Sequence, residues 1–280
     1  MKAKLALVAL AFAVAAVSAS AKEWKTVRVA SEGAYPPWNS IDPSGKLIGF
    51  DIDVMNEVCT RVGLECTMQA QEWKTIIPSL NAGKYDAIIA GMMITEKRLE
   101  AIDFAGPYAK TPSTLAVAKG SPLASYKSKI DRVELTDIAP EEQAEIDSFR
   151  ELLKGKVIGV QISTTHAAFL DKYVGEGAVT IRRYDTQENL DMDLQAGRID
   201  AAEASLSVWS PRIKEKPDDY ILVGPLWSGD VLGMGNGIGI RKEDTELKAL
   251  FNKGLDSAMA DGTLKTLALK WFGFDNTLTK

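Results

Sequence analysis

Short apolar runs alternate with amphipathic segments in the first third of the chain. Each of three runs has the length of a buried strand, and a helical spacing of apolar residues follows each of them. The strands are predicted at 27–30, 66–70 and 86–90, and the helices at 50–62, 75–82 and 95–101.

A second series of the same kind follows an extended run at 113–118 and a polar insertion at 125–155. Its strands are predicted at 157–161, 179–184, 200–204 and 220–223, and its helices at 140–153, 164–173 and 187–196, with two more helices before Trp271-Phe272. Such alternation favours parallel sheets with crossover helices. Two α/β lobes joined by extended crossovers fit the two series better than one continuous sheet.

The first 21 residues have the pattern of a secretory signal peptide. Lys2 and Lys4 precede an uncharged run over 5–17, and Ala19-Ser20-Ala21 forms an A-x-A cleavage pattern. No later segment approaches the roughly 18 uninterrupted apolar residues of a membrane-spanning helix. We expect a soluble, exported protein.

Charge and cysteine content narrow the possible partners. Removal of Lys2 and Lys4 takes the formal charge from −5 to −7, so nucleic acid is not an expected partner. The two cysteines, Cys59 and Cys66, form an even pair in a chain expected to be exported, which favours a disulfide. A metal or redox site would need more ligands or a C-x-x-C pattern, so no metal and no cofactor are expected.

The segment from Tyr85 to Arg98 carries the first indication of a ligand site. Its apolar run breaks at Gly91, as at a strand end, and strand ends are where open α/β sheets bind ligands. The planar guanidinium of Arg98 suits bidentate capture of a carboxylate. A solvated helix charge like its neighbour Lys97 is the alternative, and the residues alone favour that alternative.

Enzyme signatures are absent from the sequence. There is no G-x-S-x-G, no pair of histidine ligands and no Walker loop, and the chain has one histidine. The protein is therefore not expected to be an enzyme.

Several motifs in order carry a family resemblance. They are Glu32–Trp38, Gly49–Asp53, the Cys59/Cys66 pair, Tyr85–Gly91 with Thr95 and Arg98, Gly197–Asp200, and Asp261–Thr263 near Trp271-Phe272. Together they resemble family 3 periplasmic solute-binding proteins, the receptors of polar amino-acid ABC importers, from about Val27 to Phe274. The chain is most similar to the lysine/arginine/ornithine, histidine and octopine/nopaline branch.

The resemblance implies a type II periplasmic binding protein fold, in which a small molecule binds between two α/β lobes. Each lobe would have a mostly parallel sheet flanked by helices, and two extended strands would form the hinge. The implied division is a signal peptide at 1–21, lobe 1 at 22–112 and 228–280, and lobe 2 at 113–227. The protein would be a periplasmic monomer that delivers an amino acid or opine to a membrane permease.

The resemblance also assigns ligand-binding residues. Arg98 would hold the ligand carboxylate together with the helix start at Ser163, Thr164 and Thr165. Tyr35 and Trp73 would stack on the ligand side chain, while Trp38 is equally well explained by core packing. Glu32 would receive a cationic end. The remaining implied positions are Ala90, Gly91, Met93, Ser113, Gln161, His166 and Ser205; for His166 a surface position is almost as good an interpretation.

Two of these positions depart from the family pattern. Amino-acid receptors usually hold the α-ammonium with an acid where this chain has Ser205, and with a small hydroxyl residue where it has Met93. A buried charge without its partner costs about 3 to 5 kcal/mol. An opine, whose amino nitrogen carries a second arm, fits Ser205, whereas Met93 would occupy the space for that arm or fold aside.

Glu203 leaves two further interpretations open. It could supply the missing negative charge, although an ion-paired or exposed glutamate is the plainer expectation. A few relatives of this fold are dehydratases of the cyclohexadienyl or arogenate type with an acid in the cleft, and Glu203 would be that acid. This is the alternative to a binding protein.

Overall fold

The computed structural model describes residues 23–175 and 177–278. The predicted signal peptide at 1–21 lies outside these residues.

The described residues form fourteen strands and nine α-helices. The strands are β1 Thr26–Ser31, β2 Ala34–Tyr35, β3 Asn39–Ile41, β4 Leu47–Ile48, β5 Glu65–Ala70, β6 Ala87–Ile88, β7 Asp103–Ala109, β8 Ser113–Ala118, β9 Arg132–Glu134, β10 Val157–Gln161, β11 Thr180–Tyr184, β12 Ala201–Ser205, β13 Tyr220–Ser228 and β14 Asn236–Ile240. The helices are α1 Phe50–Val62, α2 Ile76–Asn81, α3 Glu96–Leu99, α4 Pro140–Leu153, α5 Thr165–Phe169, α6 Gln187–Gln195, α7 Leu206–Glu215, α8 Thr245–Ala260 and α9 Thr263–Phe272. A 3-10 turn, Trp73–Thr75, precedes α2, and a π-helical turn, Leu170–Val174, continues α5.

The strands form two large sheets and one small one. Sheet 1 has the order β5-β1-β6-β14-β7, sheet 2 has the order β11-β10-β12-β8-β13-β9, and β2, β3 and β4 form a small antiparallel sheet. In sheet 1 the pairs β1/β5 and β1/β6 are parallel, and in sheet 2 the pairs β10/β11, β10/β12 and β9/β13 are parallel. The antiparallel pairs are made by β7, β8, β13 and β14.

The chain passes twice between the large sheets. The first passage, at 110–112, joins β7 to β8, and the second, at 229–235, joins β13 to β14. Sheet 1 is therefore built from residues before and after the continuous stretch that forms sheet 2. The strands next to each passage are the antiparallel ones, because the chain leaves one sheet and returns to it in opposite directions.

Helix α1 shows how the sequence produces the packing around sheet 1. Its apolar residues recur at helical spacing, so Val54, Met55 and Val58 lie on one buried face against α8. At Gly254 of α8, a Cβ atom would lie 2.9 Å from Val58 Cγ1, so glycine permits the close approach of the two helices. Gly63 ends α1 in the left-handed conformation.

The predicted disulfide between Cys59 and Cys66 is confirmed. It joins the last turn of α1 to the beginning of β5, with 6.2 Å between the two Cα atoms. Because Gly63 reverses the chain between them, the two cysteines meet with only a short intervening loop.

The sequence patterns missed two elements that matter for the site. Helix α7 follows β12 directly and contains Pro211. A proline inside a segment lowers its helix propensity, so the sequence did not indicate a helix there. Strand β14 lies in a glycine-rich segment, where a Cβ at Gly237 would lie 2.9 Å from the Ile94 side chain and 3.0 Å from the Ala105 carbonyl oxygen. Its glycines therefore reflect close packing in the middle of sheet 1.

Across the described ranges, we find no helix with both the length and the apolar character needed to cross a membrane.

Candidate ligand-binding site

A small cavity lies between the two large sheets. Its volume is about 30 Å³, room for about two water molecules. The side chains and backbone that line it are Glu32, Tyr35, Trp73, Ala90, Gly91, Met93, Arg98, Gln161, Thr164, Thr165, His166 and Ser205. All twelve are among the fourteen positions that the resemblance assigned to the site.

The topology of the sheets explains why these residues meet. Glu32 follows β1, Trp73 and Ala90 follow β5 and β6, and Gln161 and Ser205 end β10 and β12. These strands are parallel neighbours within their sheets, so their carboxyl ends share one edge. The two edges face each other across the cavity, as expected for ligand sites in open α/β sheets.

Three hydrogen bonds join the two sides at the cavity. Gln161 Nε2 donates to Glu32 Oε1 at 2.6 Å, Trp73 Nε1 donates to the Ile162 carbonyl oxygen at 3.0 Å, and an Arg98 Nη2 donates to the Ser163 carbonyl oxygen at 3.2 Å. Farther from the cavity, Trp38 Nε1 donates to Ser207 Oγ at 2.9 Å. The structure thus has its two sides in contact around a narrow cavity.

Arg98 is the cationic group of the cavity. Thr95 caps α3 by accepting a hydrogen bond from the Arg98 backbone, and the guanidinium donates to the Met93 carbonyl oxygen at 2.8 Å. It also lies 5.3 Å from the centre of the Trp73 ring. No carboxylate of the described residues forms an ion pair with it, and burial lowers the pKa of Arg98 to about 10. The guanidinium is therefore charged at neutral pH and has only neutral acceptors around it.

Glu32 is the acidic group of the cavity. Its side chain is buried, and desolvation raises the pKa of its carboxyl to about 7. The hydrogen bond from Gln161 opposes this shift, and the nearby charge of Glu188 adds to it. A cationic group placed beside Glu32 would favour its ionised form.

His166, Ser205 and Tyr35 supply neutral polar groups. Burial and the charge of Arg98 lower the pKa of His166 to about 4, so its imidazole is neutral at physiological pH. His166 Nε2 lies 3.4 Å from Ser205 Oγ. Burial raises the pKa of Tyr35 to about 12, so its hydroxyl keeps its proton.

Two of the fourteen predicted positions do not line the cavity. Ser163 is exposed and has a left-handed backbone with φ of 60°, which aims its carbonyl group at Arg98. Ser113 is buried at the start of β8, and its hydroxyl donates to Glu203. Ser163 therefore contacts the cavity residue Arg98 through its backbone, whereas the hydrogen bond of Ser113 goes to a residue outside the cavity lining.

The structure resolves the two interpretations of Trp38. Its side chain is fully buried and packs against Phe50 and Phe272 in the core, with ring centroids 5.5 and 5.0 Å away. It forms the layer beneath Gly91, where a Cβ would lie 3.4 Å from the indole. Trp38 therefore supports the cavity from the core.

Two supporting residues were not singled out as site residues from the sequence. Asp51 is fully buried in α1 and accepts hydrogen bonds from Tyr108, Asn39 and the Gly91 backbone N–H. Asn236 Nδ2 donates to the Gly91 carbonyl oxygen at 2.6 Å. Together they fix both sides of the Gly91 backbone at the cavity wall. An acid between Phe50 and Ile52 on an apolar helix face was the available signal for Asp51.

The expectation of an ion-paired or exposed Glu203 is wrong. The side chain is 1% exposed and forms no ion pair with another described residue. It points into the layer between sheet 2 and α5, since alternating residues of β12 face opposite sides. It does not line the cavity.

Comparisons with known proteins agree with one another. The profile of the bacterial extracellular solute-binding proteins, family 3, matches residues 27–274. The octopine-binding periplasmic protein of Rhizobium meliloti is 42% identical, with 99% of each chain covered. The histidine-binding periplasmic protein of Escherichia coli K12 is 37% identical, with 95% of this chain and 94% of that protein covered.

A solved structure gives the same result. An ancestral arginine-binding protein bound to arginine superposes with a TM-score of 0.73 at 32% identity, covering 89% of this chain and 98% of the other. This likeness confirms the predicted two-lobe α/β fold.

Proposed function

The chain belongs to the bacterial extracellular solute-binding proteins of family 3, and from this premise we propose that it captures a cationic amino acid or an opine derived from one. The predicted family is thereby confirmed. The solute would be held between the two lobes and delivered to the membrane permease of an ABC importer. The named relatives are periplasmic proteins, and we propose the periplasm as the compartment and a monomer as the functional state.

One observation supports this ligand class most strongly: the cavity has an unpaired cation on one wall and a buried acid on another. Arg98 has only neutral acceptors around it among the described residues, and burial raises the pKa of Glu32 to about 7, so its carboxyl is only partly ionised at neutral pH. A ligand with a carboxylate at one end and a guanidinium or ammonium at the other complements both groups. Arginine and its opines have this form.

The proposed pose uses both sides of the cavity. Arg98 would form paired hydrogen bonds with the ligand carboxylate, assisted by the hydroxyl groups of Thr164 and Thr165 at the start of α5. The ligand side chain would lie between Tyr35 and Trp73 and reach Glu32. Gln161 would release Glu32 Oε1 to the incoming cation, since it holds that oxygen in the present structure.

The choice between a free amino acid and an opine depends on two wall residues. Ser205 places a neutral hydroxyl in the cavity wall, whereas a primary ammonium would be stabilised best by a carboxylate at this position. Met93 lines the cavity and fills space on the sheet 1 side, and its unbranched side chain can change rotamer to admit a second arm. We propose an opine of the octopine type as the preferred solute, with arginine as the competing one.

Ligand entry requires the lobes to separate. A cavity of about 30 Å³ is far smaller than an amino acid, and hydrogen bonds hold the two sides together at the cavity. We propose that lobe 1 comprises 22–112 and 228–280, that lobe 2 comprises 113–227, and that the two passages between the sheets form the hinge. Two short connections permit such a rotation while both cores stay folded.

The dehydratase alternative has one candidate acid, Glu203. A general acid must come within hydrogen-bond reach of the group it protonates, directly or through one water. Glu203 lies behind the cavity wall and does not line it. We therefore propose a binding protein without catalytic activity; formation of an aromatic product from prephenate or arogenate would contradict this proposal.

A stability-shift screen tests the ligand class. Arginine, lysine, ornithine, histidine, octopine and nopaline would each be added at one concentration, and the melting temperature measured. A ligand that binds the folded state raises the melting temperature, and a tighter ligand raises it more. We expect octopine to give the largest shift and arginine a smaller one, with calorimetry to follow. A larger shift from arginine than from every opine would refute the opine preference, and the absence of any shift would refute the ligand class.

A further inference from the structure

Glu203 is a buried carboxyl group with an unused oxygen. Its Oε1 accepts a hydrogen bond from the Ser113 hydroxyl, whereas its Oε2 is buried and has no hydrogen-bond partner among the described residues. Buried polar atoms are almost always paired, because an unpaired one loses its hydration without compensation. Such an exception at the edge of a ligand cavity needs a reason.

The strand register places this carboxyl directly behind the cavity wall. Glu203 and Ser205 are two residues apart on β12, so their side chains share a face of sheet 2. Ser205 pairs with Ser113 across the β12/β8 ladder, which puts their Cβ atoms about 5 Å apart. Ser205 lines the cavity. The two hydroxyl groups therefore lie between the Glu203 carboxyl and the space for the ligand.

The charged groups of the cavity leave one charged group of the ligand without a counter-charge. Arginine has a carboxylate, a guanidinium and a protonated amino nitrogen; octopine has the same three groups and a second carboxylate on the arm attached to that nitrogen. Arg98 matches the carboxylate and Glu32 matches the guanidinium. His166 and Tyr35 are neutral at physiological pH, so neither balances the amino nitrogen. A buried ammonium without a counter-charge would greatly weaken binding.

We propose that Glu203 supplies the counter-charge for the protonated amino nitrogen of the ligand, acting through the hydroxyl groups of Ser113 and Ser205. It is then a positioning and specificity-determining residue that does not touch the ligand. The ligand nitrogen donates to the Ser205 hydroxyl, and the Ser113 hydroxyl already donates to Glu203. The inference rests on the proposed function, because it takes a cationic amino-acid derivative as the ligand.

A change of protonation accompanies this role. Burial raises the pKa of Glu203 to about 8, so the carboxyl is mostly protonated at pH 7 without ligand. An ammonium nearby favours the carboxylate, and binding then releases a proton. The titratable groups of α5 and the turn after it on this side of sheet 2 are His166, the exposed Asp171, and Lys172 and Tyr173, both bonded to Asp230. Helix α4 packs on the same side and adds Glu145, which is buried and accepts hydrogen bonds from Tyr126 and Ser128, and Arg150, which donates to the Tyr173 carbonyl oxygen. Helices α6 and α7 pack on the other face, with Ala202 and Ala204.

The test compares ligands that differ only at the amino nitrogen. L-arginine and octopine have a protonated nitrogen, whereas Nα-acetyl-L-arginine keeps the carboxylate and the guanidinium but has a neutral amide. Calorimetry in phosphate and in Tris at pH 7 gives both the affinity and the number of protons released. The variants are Glu203→Gln, which keeps an acceptor for Ser113, Ser113→Ala, which removes the link, and Glu100→Gln as the control, since Glu100 is an exposed carboxylate of lobe 1.

The inference predicts that the variants lose affinity only for ligands with a charged amino nitrogen. Glu203→Gln should weaken the binding of arginine and octopine at least tenfold and reduce the number of protons released by up to one per ligand bound. Ser113→Ala should show a smaller loss of affinity for the same ligands. Nα-acetyl-L-arginine should be affected less than twofold, and Glu100→Gln should bind like the wild type.

Opposite outcomes separate the two proposals. If the wild type binds arginine or octopine and Glu203→Gln binds them within twofold with the same proton release, this inference is wrong and the proposed function stands. If the wild type binds none of the arginine derivatives, the proposed function is wrong, and the inference falls with it. Should Glu203→Gln not fold, proton release by the wild type decides: equal release with arginine and with its acetylated form overturns the inference.

Discussion

Arg98 is held at the cavity entirely by neutral groups. Its guanidinium donates to the carbonyl oxygens of Met93 and Ser163 and lies beside the Trp73 ring. These contacts orient the side chain, but they leave its charge without an anion among the described residues. The folded protein thus keeps a desolvated cation whose natural complement is an anionic ligand group.

Replacement of Arg98 tests this complement. In Arg98→Ala the ligand carboxylate would be buried without a partner, so we expect the binding free energy to weaken by about 2 to 5 kcal/mol. Isothermal calorimetry with the solute found in the screen measures this loss. The matched control is Lys97→Ala, which removes the same charge from an exposed position on the same helix.

Stability separates a binding defect from a folding defect. Because burial works against the charge of Arg98, Arg98→Ala should melt no lower than the wild type without ligand. Unchanged affinity in this variant would remove Arg98 from the site.

At the residue scale, the positions that line the cavity could be predicted from the sequence because the family motifs keep their spacing. Twelve of the fourteen proposed positions line one cavity, although their role as ligand contacts stays a prediction. Glu203 was misjudged, because the sequence does not show whether a strand residue faces a charged partner or the protein interior. Only the ladder with β8 shows that Ser113 is its neighbour.

At the scale of elements, the disulfide fixes the junction between α1 and β5. Cys59 and Cys66 lie at the amino end of β5, whereas Trp73 and the cavity follow its carboxyl end. The cross-link therefore serves the stability of the sheet 1 lobe and has no direct contact with the site.

Removal of the cross-link should separate stability from binding. For a loop of this length, the loss of Cys59–Cys66 is expected to destabilise by about 2 to 3 kcal/mol, since the unfolded chain regains conformational entropy. We expect the Cys59→Ala/Cys66→Ala double variant to melt roughly 5–10 °C lower, with a dissociation constant within twofold of the wild type. The wild type treated with reductant is the control. A large loss of affinity in a variant that still folds would show that the junction also positions Trp73.

Elements with a clear apolar period were predictable, and those shaped by close packing were not. The helices at 50–62 and 140–153 match α1 and α4 because their apolar spacing is regular. Strand β14 resembled a loop, because its glycines are required by neighbours from other parts of sheet 1. Tertiary contacts of this kind leave no local pattern in the sequence.

At the scale of the whole molecule, buried carboxyl groups set a pH dependence of stability. Burial raises the pKa of Glu32 and Asp51 to about 7 and the pKa of Glu203 to about 8. A carboxyl with a raised pKa holds its proton more tightly in the folded chain than in the unfolded chain. Below the usual carboxyl pKa the group is protonated in both forms and does not change the free energy of unfolding. As pH rises toward the raised value, the group lowers the free energy of unfolding. His166, with its pKa lowered to about 4, acts in the opposite direction, but only below about pH 6.5.

The ligand-free protein should therefore become less stable between pH 6.5 and 8. Glu203→Gln removes one of the three groups, so its stability relative to the wild type should grow by about 1 to 2 kcal/mol across this interval. Denaturant unfolding at both pH values measures the difference, with Glu100→Gln as the control. An equal pH response in Glu203→Gln and the wild type would mean that Glu203 is not protonated in the folded protein.

The position of β14 in sheet 1 has a consequence for the order in which the chain folds. This strand lies between β6 and β7, yet it follows them by more than a hundred residues. Residues 113–228, which form sheet 2, can pair as soon as they have been synthesised, whereas β7, whose one neighbour in sheet 1 among the described strands is β14, waits for a strand near the end of the chain. Such distant pairing is slow, because a long loop must close before any contact compensates for the lost entropy. The sheet 2 lobe should therefore acquire its protection from hydrogen exchange first during refolding, and the sheet 1 lobe should be completed last.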